Sequence, residues 1–263
     1  MIAGIDIGSR SIELVLIQEG RVVRQERAAT TFHPVAQVRR LLSGLIPGRI
    51  VATGYGRDLL TEADMGAPVT TITEIKAYSV GAGRLHPEAR TLLDIGGQDT
   101  KVILLAAGGR VLKFEMNDRC AAGTGKFLEH MANVFQVPVS EFGAYALDGK
   151  DALAINRMCT VFAETEAVSL MARGKDPRSI ALGLHAAIVR RTAAMLGRVG
   201  MAPPVLFAGG VAQNPCVVKL LRESLPAPLL IPEDPDMLGA RGAALHGASV
   251  EAHPAPDGFP QTT

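Results

Sequence analysis

Two aspartates and two cysteines carry most of the chemistry this sequence can do. Asp6 closes an apolar run, IAGIDI, and is followed by Gly8, Ser9, Arg10 and Ser11; Asp94 closes TLLDI and is followed by Gly96, Gly97, Gln98 and Asp99. A carboxylate at a strand end, followed by glycines that free backbone amides, suits a polyphosphate and its hydrated Mg2+. Cys120 stands at the mouth of a glycine-bearing turn in MNDRCAAGTGKFLEHMAN, with a helix expected from Thr124 to Phe135, and Cys159 opens a second expected helix, TVFAETEAVSLMAR. A helix N-terminus carries about half a positive charge and favours a thiolate or an anionic cluster. A 4Fe-4S cluster takes four thiolates, so this pair supplies two and a symmetric dimer would supply four, with the cluster on the twofold axis. Weighed on composition alone, an inert buried cysteine is the commoner case, and Cys216 in NPCVVKLL reads as one.

The stretch AAGTGKF comes close to a phosphate loop but fails G-x-x-x-x-G-K-[ST] at both ends. Cys120 occupies the first glycine position and Phe127 replaces the Mg2+-binding hydroxyl. The Walker reading is therefore rejected, and Lys126 is kept only as a neighbour of phosphate or cluster.

The elements that must position these residues form an internal repeat. IAGIDI and IELVLI read as two strands around the turn of Gly8 to Ser11, and GRVVRQERA as a third after Glu19-Gly20. TLLDI, KVILLA and RVLKF repeat the arrangement around Gly96 to Asp99, with Asp6 and Asp94 equivalent. Two related lobes are expected, their turns clamping a polyphosphate from both sides. Helices are expected over Pro34 to Leu45, Glu74 to Leu85, Cys159 to Arg173, Ile180 to Val199 and Asp236 to Ala248, and a strand over Arg49 to Thr53. The stretch after Cys159 offers Val161, Phe162, Val168, Leu170 and Met171 for packing. PVLFAGG is a strand running through two glycines into a helix from Asn214, an arrangement that brings backbone close to a ligand at a helix N-terminus. Thr53 to Arg57 is glycine-rich and has two readings, a segment lining the cleft or a plain loop, of which the plain loop is preferred.

At 263 residues the chain lies near the size at which one core divides. The expected lobes are residues 1–88, joined by the last helix 236–250, and residues 89–235, with 251–263 a disordered tail. A net charge of +1 and the absence of Trp give no reason to expect nucleic acid or a membrane surface as partner. No positively charged start leads into an apolar run, and the uncharged stretch Ala181 to Val189 is about half a membrane span, so a cytoplasmic protein is expected.

GIDIGSRSIELVL, DIGGQDTKVI, NDRCAAGTGKFLE, MCTVFAE, FAGGVAQNPCVV and PEDPDMLGARGAAL together resemble the ATP-dependent activators of 2-hydroxyacyl-CoA dehydratases and the related ATPase subunits of benzoyl-CoA reductase. That family lies within the superfold of acetate and sugar kinases, heat-shock chaperones and actin. The resemblance spans nearly the whole chain, and the two cysteine motifs are absent from the kinases and chaperones. It implies an α/β, two-lobed actin-like ATPase fold with a duplicated β-meander plus helices and the nucleotide in the interlobe cleft. Carried across, Asp6, Gly8, Ser9, Arg10 and Ser11 form one phosphate segment, and Asp94, Gly96, Gly97, Gln98, Asp99 and Lys101 the other. Gly209, Gly210, Val211 and Asn214 fall on the adenosine segment, and Cys120 and Cys159 on the ligands of one 4Fe-4S cluster bridging two subunits. Gln98 and Asp99 are both candidates to orient the attacking water. ATP and Mg2+ are the implied cofactors beside the cluster. The implied activity is ATP-driven transfer of a low-potential electron to a partner dehydratase. Implied partners are a second copy or a related ATPase subunit, an iron-sulfur dehydratase or reductase component, and a low-potential ferredoxin or flavodoxin as electron source. One departure stands in TEIKAYSVGA, where Tyr78 replaces an expected histidine and bears on the substrate branch.

A sugar or acid kinase shares the nucleotide segments but needs a catalytic carboxylate in a substrate pocket and no paired cysteines. An actin-like or chaperone-like assembly protein would use ATP only to switch partners and would carry no iron.

Overall fold

The protein is described from a computed structural model covering residues 1–156 and 159–252, the last two by backbone only. Among these residues the chain divides into two compact units, Met1–Gly81 with the chain from Gly239, and Ala82–Leu238. The division falls within a helix, some residues before the expected 88/89 boundary.

The first unit is built on a five-stranded sheet. Strands β1 (Ile2–Ile7), β2 (Ser11–Gln18) and β3 (Arg21–Ala29) form the meander, and helix α1 (Pro34–Leu41) follows. Strands β4 (Arg49–Thr53) and β5 (Val69–Thr71) complete the order β3-β2-β1-β4-β5. Every residue of β1 is buried, as expected of a central strand covered on both faces, whereas edge strand β3 alternates between half-buried and exposed positions. The β2–β3 turn is Glu19–Gly20, both at positive φ (51° and 77°), which matches the right-handed twist of a tight hairpin. Helix α1 stops at Leu41, four residues short of the expected Leu45. Helix α2 (Glu74–Leu85) follows as expected.

The second unit repeats the plan. Strands β6 (Thr91–Ile95), β7 (Thr100–Leu105) and β8 (Val111–Asn117) form the second meander. Next come helices α3 (Gly125–Val134), α4 (Val139–Leu147), α5 (Thr160–Ala172) and α6 (Pro177–Val199), strand β9 (Val205–Ala208), helix α7 (Pro215–Ser224) and strand β10 (Leu229–Leu230). The sheet order is β10-β9-β6-β7-β8, so β9 lies parallel beside β6 as β4 lies beside β1. A core around Phe127, Phe142, Leu184, Ile188, Phe207 and Val217 joins sheet and helices. The three-residue β5, the two-residue β10 and α4 were not legible: the strands are very short, and α4 carries no strong polar face.

Helix α6 is long and apolar enough by composition to cross a membrane, but 61% of that window is buried inside the protein, where it forms the spine of this core. It begins three residues earlier than expected because Asp176 caps it, its Oδ2 accepting from the amide (2.9 Å) and hydroxyl (2.8 Å) of Ser179. Those bonds hold the Asp176 carboxyl below its usual range. The last helix, α8 (Leu238–Ala252), belongs almost entirely to the first unit, where Ala243 packs on Ile2 and Val51. The expected disordered tail was to start at residue 251. The helix continues through 252, and residues 253–263 lie outside the described residues.

Candidate functional site

The two Asp turns have the same geometry. In each, the amide of the first glycine donates across a four-residue loop at 3.0 Å, Gly8 to the Ser11 carbonyl and Gly96 to the Asp99 carbonyl. Asp6 and Asp94 are both buried. Each also meets a glycine from the neighbouring parallel strand: Gly54 follows β4 with φ 88°, and Gly209 follows β9 with φ 84°. A Cβ at Gly54 would collide with the Asp6 carboxylate and the Ile7 carbonyl; at Gly209 it would collide with the Asp94 carboxylate and the Ile95 carbonyl. Both therefore require glycine, for backbone conformation and for close approach. Thr53 to Arg57, expected as a plain loop, is thus the counterpart of the Gly209 loop. After each glycine the chain tightens into a single turn, Arg57 donating to the Gly54 carbonyl (3.3 Å) and Ala212 to that of Gly209 (3.0 Å).

Cross-strand neighbours separate the turns chemically. Opposite Asp94 in the β6–β7 register is Lys101, whose ammonium lies 3.0 Å from Asp94 Oδ2 and 2.7 Å from Asp99 Oδ2, almost fully buried. Opposite Asp6 in the β1–β2 register is Glu13, also buried, and the row continues to Arg27 on β3. Glu13, which its own strand does not mark as a site residue, stands at the same offset from its aspartate as Lys101 does. Asp6 is further enclosed by Gly239 at the start of α8. A Cβ there would meet both the Asp6 carboxylate and the ring edge of buried Tyr78. Tyr78, expected to bear on the substrate branch, therefore sits against the first Asp turn.

Gly8, Ser9, Gly96 and Gly97 are half-buried, while Arg10 and Gln98 are exposed. Gly210 is exposed with open space above its Cα, and Val211 is buried beneath it. A short turn, Gly210–Gln213, separates β9 from α7, and Asn214 caps that helix, its Oδ1 accepting from Cys216 N and Val217 N at 3.0 Å each.

Cys159 is the N-cap of α5, and Cys120 lies five residues ahead of α3, whose cap position is Thr124, where that helix is expected to begin. Glycine and alanine after Cys120 form turns instead of a first helical turn: Thr124 Oγ1 donates to the Ala121 carbonyl (2.7 Å) and Asn117 Nδ2 to the Cys120 carbonyl (2.9 Å). The first two helical amides of α3 are already engaged. Gly125 N donates to the Gly96 carbonyl (2.9 Å) and Lys126 N to the Gly97 carbonyl (2.8 Å). This start of α3 thus serves the second Asp turn, which supports the rejection of the Walker reading. The Lys126 ammonium lies 3.1 Å from Glu129.

Both Cys120 and Cys159 are exposed, and Cys216 is fully buried, where desolvation pushes its thiol up to about 12. Helices α3 and α5 are bridged by His130 and Glu164 at 2.7 Å. On α5 the packed residues are Ala163 and Ala167, with Leu170 and Met171 partly buried. Val161, Phe162 and Val168, expected to pack, are exposed instead. Met158, in the motif before Cys159, lies outside the described residues. Among the described residues no group of three His, Cys, Asp or Glu side chains converges as a ready-made metal site. Two exposed thiols suit half of a four-thiolate cluster, and two buried carboxylates suit hydrated Mg2+ held through water.

Paired meanders with glycine turns at buried aspartates define an ATPase of the actin-like fold. The chain belongs to the BadF/BadG/BcrA/BcrD ATPase family, whose model matches residues 3–247. It is 36% identical over 252 residues to the 2-hydroxyisocaproyl-CoA dehydratase activator of Clostridioides difficile, covering 92% of this chain and 93% of that one. It is 30% identical over 268 residues to a benzoyl-CoA reductase subunit of Thauera aromatica, covering 94% and 92%. The solved structure of the activator of the 2-hydroxyisocaproyl-CoA dehydratase from Clostridium difficile, with bound ADPNP, superposes with a TM-score of 0.86 at 34% identity, covering 98% of this chain and 99% of that one.

Proposed function

We propose that this protein hydrolyses ATP to deliver a low-potential electron to a partner iron-sulfur enzyme, a 2-hydroxyacyl-CoA dehydratase of the kind its relatives activate. The Asp6 and Asp94 turns hold the phosphates and, through water, Mg2+; Gly209 to Asn214 hold the adenosine. Gln98, exposed at the tip of the second turn, is the candidate to orient the attacking water. Cys120 and Cys159 would hold a 4Fe-4S cluster shared with a second copy, and that group, when bound, supplies the one-electron carrier. A low-potential ferredoxin or flavodoxin would be the electron source, and the setting is the cytoplasm, where thiols stay reduced.

The observation that carries this reading is the pair of hydrogen bonds from Gly125 and Lys126 to the Gly96 and Gly97 carbonyls. A peptide unit is a rigid plane with its N–H and C=O on opposite edges. The Gly96 carbonyl shares a plane with the Gly97 amide, and the Gly97 carbonyl with the Gln98 amide. A phosphate that draws those amides tilts the planes and moves the acceptors of α3. The segment of Cys120 is attached to the same helix start through Thr124. Nucleotide state thereby reaches the cysteine segment through bonds of this chain alone.

The test is anaerobic purification, with iron, acid-labile sulfide and mass per complex compared between wild type and Cys120→Ser and Cys159→Ser. Two irons per chain in a dimer, lost in both variants, is the expected result. A full complement in either variant removes that cysteine from the ligand set, and near-zero iron and sulfide in anaerobically reconstituted wild type favours a nucleotide switch without redox chemistry. A mass that includes a related second polypeptide would favour the benzoyl-CoA reductase arrangement, to which the Thauera aromatica relative belongs by name.

A further inference from the structure

A buried polar contact in the second unit's helical layer joins α6 to the cap of α7 and involves a histidine no nucleotide segment includes. His185, on α6, is fully buried with its ring against Phe142 (centroids 5.0 Å apart). Its Nδ1 is 2.8 Å from the Ala181 carbonyl and its Nε2 is 3.2 Å from Asn214 Nδ2. These contacts admit one assignment. Asn214 Oδ1 accepts two backbone amides at the start of α7, so its Nδ2 must point at His185 and donate. His185 Nε2 must then be the acceptor, and the ring proton sits on Nδ1, donating to Ala181. Gly143 of α4 closes the far side, for a Cβ there would stand 2.6 Å from Asn214 Oδ1. The loop hangs from the same residue: Asn214 N donates to the Val211 carbonyl (2.9 Å) and Ala212 N to that of Gly209 (3.0 Å).

We infer that His185 is a positioning residue for nucleotide binding: by accepting from Asn214 Nδ2 it fixes the cap of α7, and through it the turn Gly209–Gln213 presented to the adenosine. The inference rests on reading Gly209 to Asn214 as the adenosine segment. The neutral ring is also what the surroundings favour, because burial lowers the pKa of His185 to about 4 against the opposing bond to Ala181.

Three substitutions in the full chain separate positioning from packing. His185→Gln places an amide oxygen near Nε2; His185→Asn keeps a donor near Nδ1 but no acceptor near Nε2; His185→Leu keeps bulk alone. Affinity for a non-hydrolysable ATP analogue is measured by calorimetry, with thermal unfolding alongside. The Asn and Leu variants are expected to bind about 3- to 10-fold more weakly, the range for one lost hydrogen bond, with the Gln variant within about twofold of wild type. Equal affinity across wild type and the three variants overturns the proposal, as does a loss that the Gln variant shares in full. Should the histidine variants not fold, Asn214→Asp keeps the two capping bonds and replaces the donor to His185 with a charged acceptor. The same weakening is then expected, and unchanged affinity overturns the proposal. Gly210→Trp, filling open space beside the loop, tests the underlying reading. Unchanged affinity there rejects the adenosine assignment itself, while lost binding there with a flat response at His185 rejects only the histidine's role.

Discussion

In the first sheet the carbonyl of Gly8 accepts from the Thr30 hydroxyl (2.7 Å), just past the end of β3; in the second the carbonyl of Gly96 accepts from the Gly125 amide (2.9 Å), the first residue of α3. The turns are alike in loop length, in the bond that closes them and in the glycine wedged against each aspartate. They differ in what is fastened to them. One is anchored to the meander it belongs to, and the other to a helix preceded by the Cys120 segment. The rows of side chains across the sheets differ as well. From the first strand outward they read Asp6, Glu13, Arg27 in one sheet and Asp94, Lys101, Met116 in the other. The cation has moved one strand away from the first aspartate. The repeat keeps the turn and changes its attachments; on the function proposed above, the first turn would act as a fixed wall and the second as the end of a lever.

The largest effect expected on this contrast comes from making the second turn resemble the first. Lys101→Glu removes the ammonium between Asp94 and Asp99 and places a third carboxylate among buried groups. Removing one partner of a buried pair costs about 3–5 kcal/mol, so denaturant unfolding should show at least that loss, with nucleotide binding abolished. A variant of near-wild-type stability would mean that the pair is dispensable and the contrast between the rows superficial.

Next comes acidity, which reaches the second unit through His185. Its folded pKa of about 4 lies below the ordinary 6.5, so the unfolded chain binds the extra proton first. The associated stability is complete above pH 6.5 and is lost as pH falls toward 4, by about 3 kcal/mol at most on a scale of 1.36 kcal/mol per unit. His185→Gln should flatten that part of the pH–stability curve, and an unchanged slope would place the acid sensitivity elsewhere.

The lever itself is tested by removing one donor from each turn. Lys126→Pro deletes the amide bonded to Gly97 at a first-turn position where helices tolerate proline, and Thr30→Val deletes the hydroxyl bonded to Gly8. Each should cost on the order of 1 kcal/mol. Amide hydrogen exchange over residues 117–125 should respond to an ATP analogue in wild type and in Thr30→Val, but not in Lys126→Pro. Identical responses in both variants would remove the distinction drawn between the turns.

Much of this plan was legible in the chain. Asp6 and Asp94, their turns and the flanking strands are local features, each contained in a short window where an apolar run, a carboxylate and glycines follow one another. What escaped depends on pairings between segments far apart. Gly54 and Gly209 are equivalent because β4 lies beside β1 and β9 beside β6, yet TGYGR and AGGVAQ share little as strings. Helix α3 starts within one residue of its expected Thr124, but the acceptors that its first amides meet lie on the Asp94 turn, which no reading of the local stretch supplies. Glu13 is the exception, since laying the two repeats over each other places it on Lys101.

The smallest effect bears on the stretch that most resembles a phosphate loop. If α3 is a lever end, the ammonium of Lys126 does no work on phosphate, and its partner is Glu129 one turn along the helix. Lys126→Ala then removes a partly exposed pair of the kind that contributes at most about 0.5 kcal/mol, while its amide still donates to Gly97. ATP affinity should change by less than about twofold, and the exchange response of residues 117–125 should persist. A loss of tenfold or more, about 1.4 kcal/mol, would exceed anything the Glu129 contact supplies and would put the ammonium on the nucleotide. The contrast between Lys126→Pro and Lys126→Ala thus assigns the residue's function to its backbone or to its side chain at a single position.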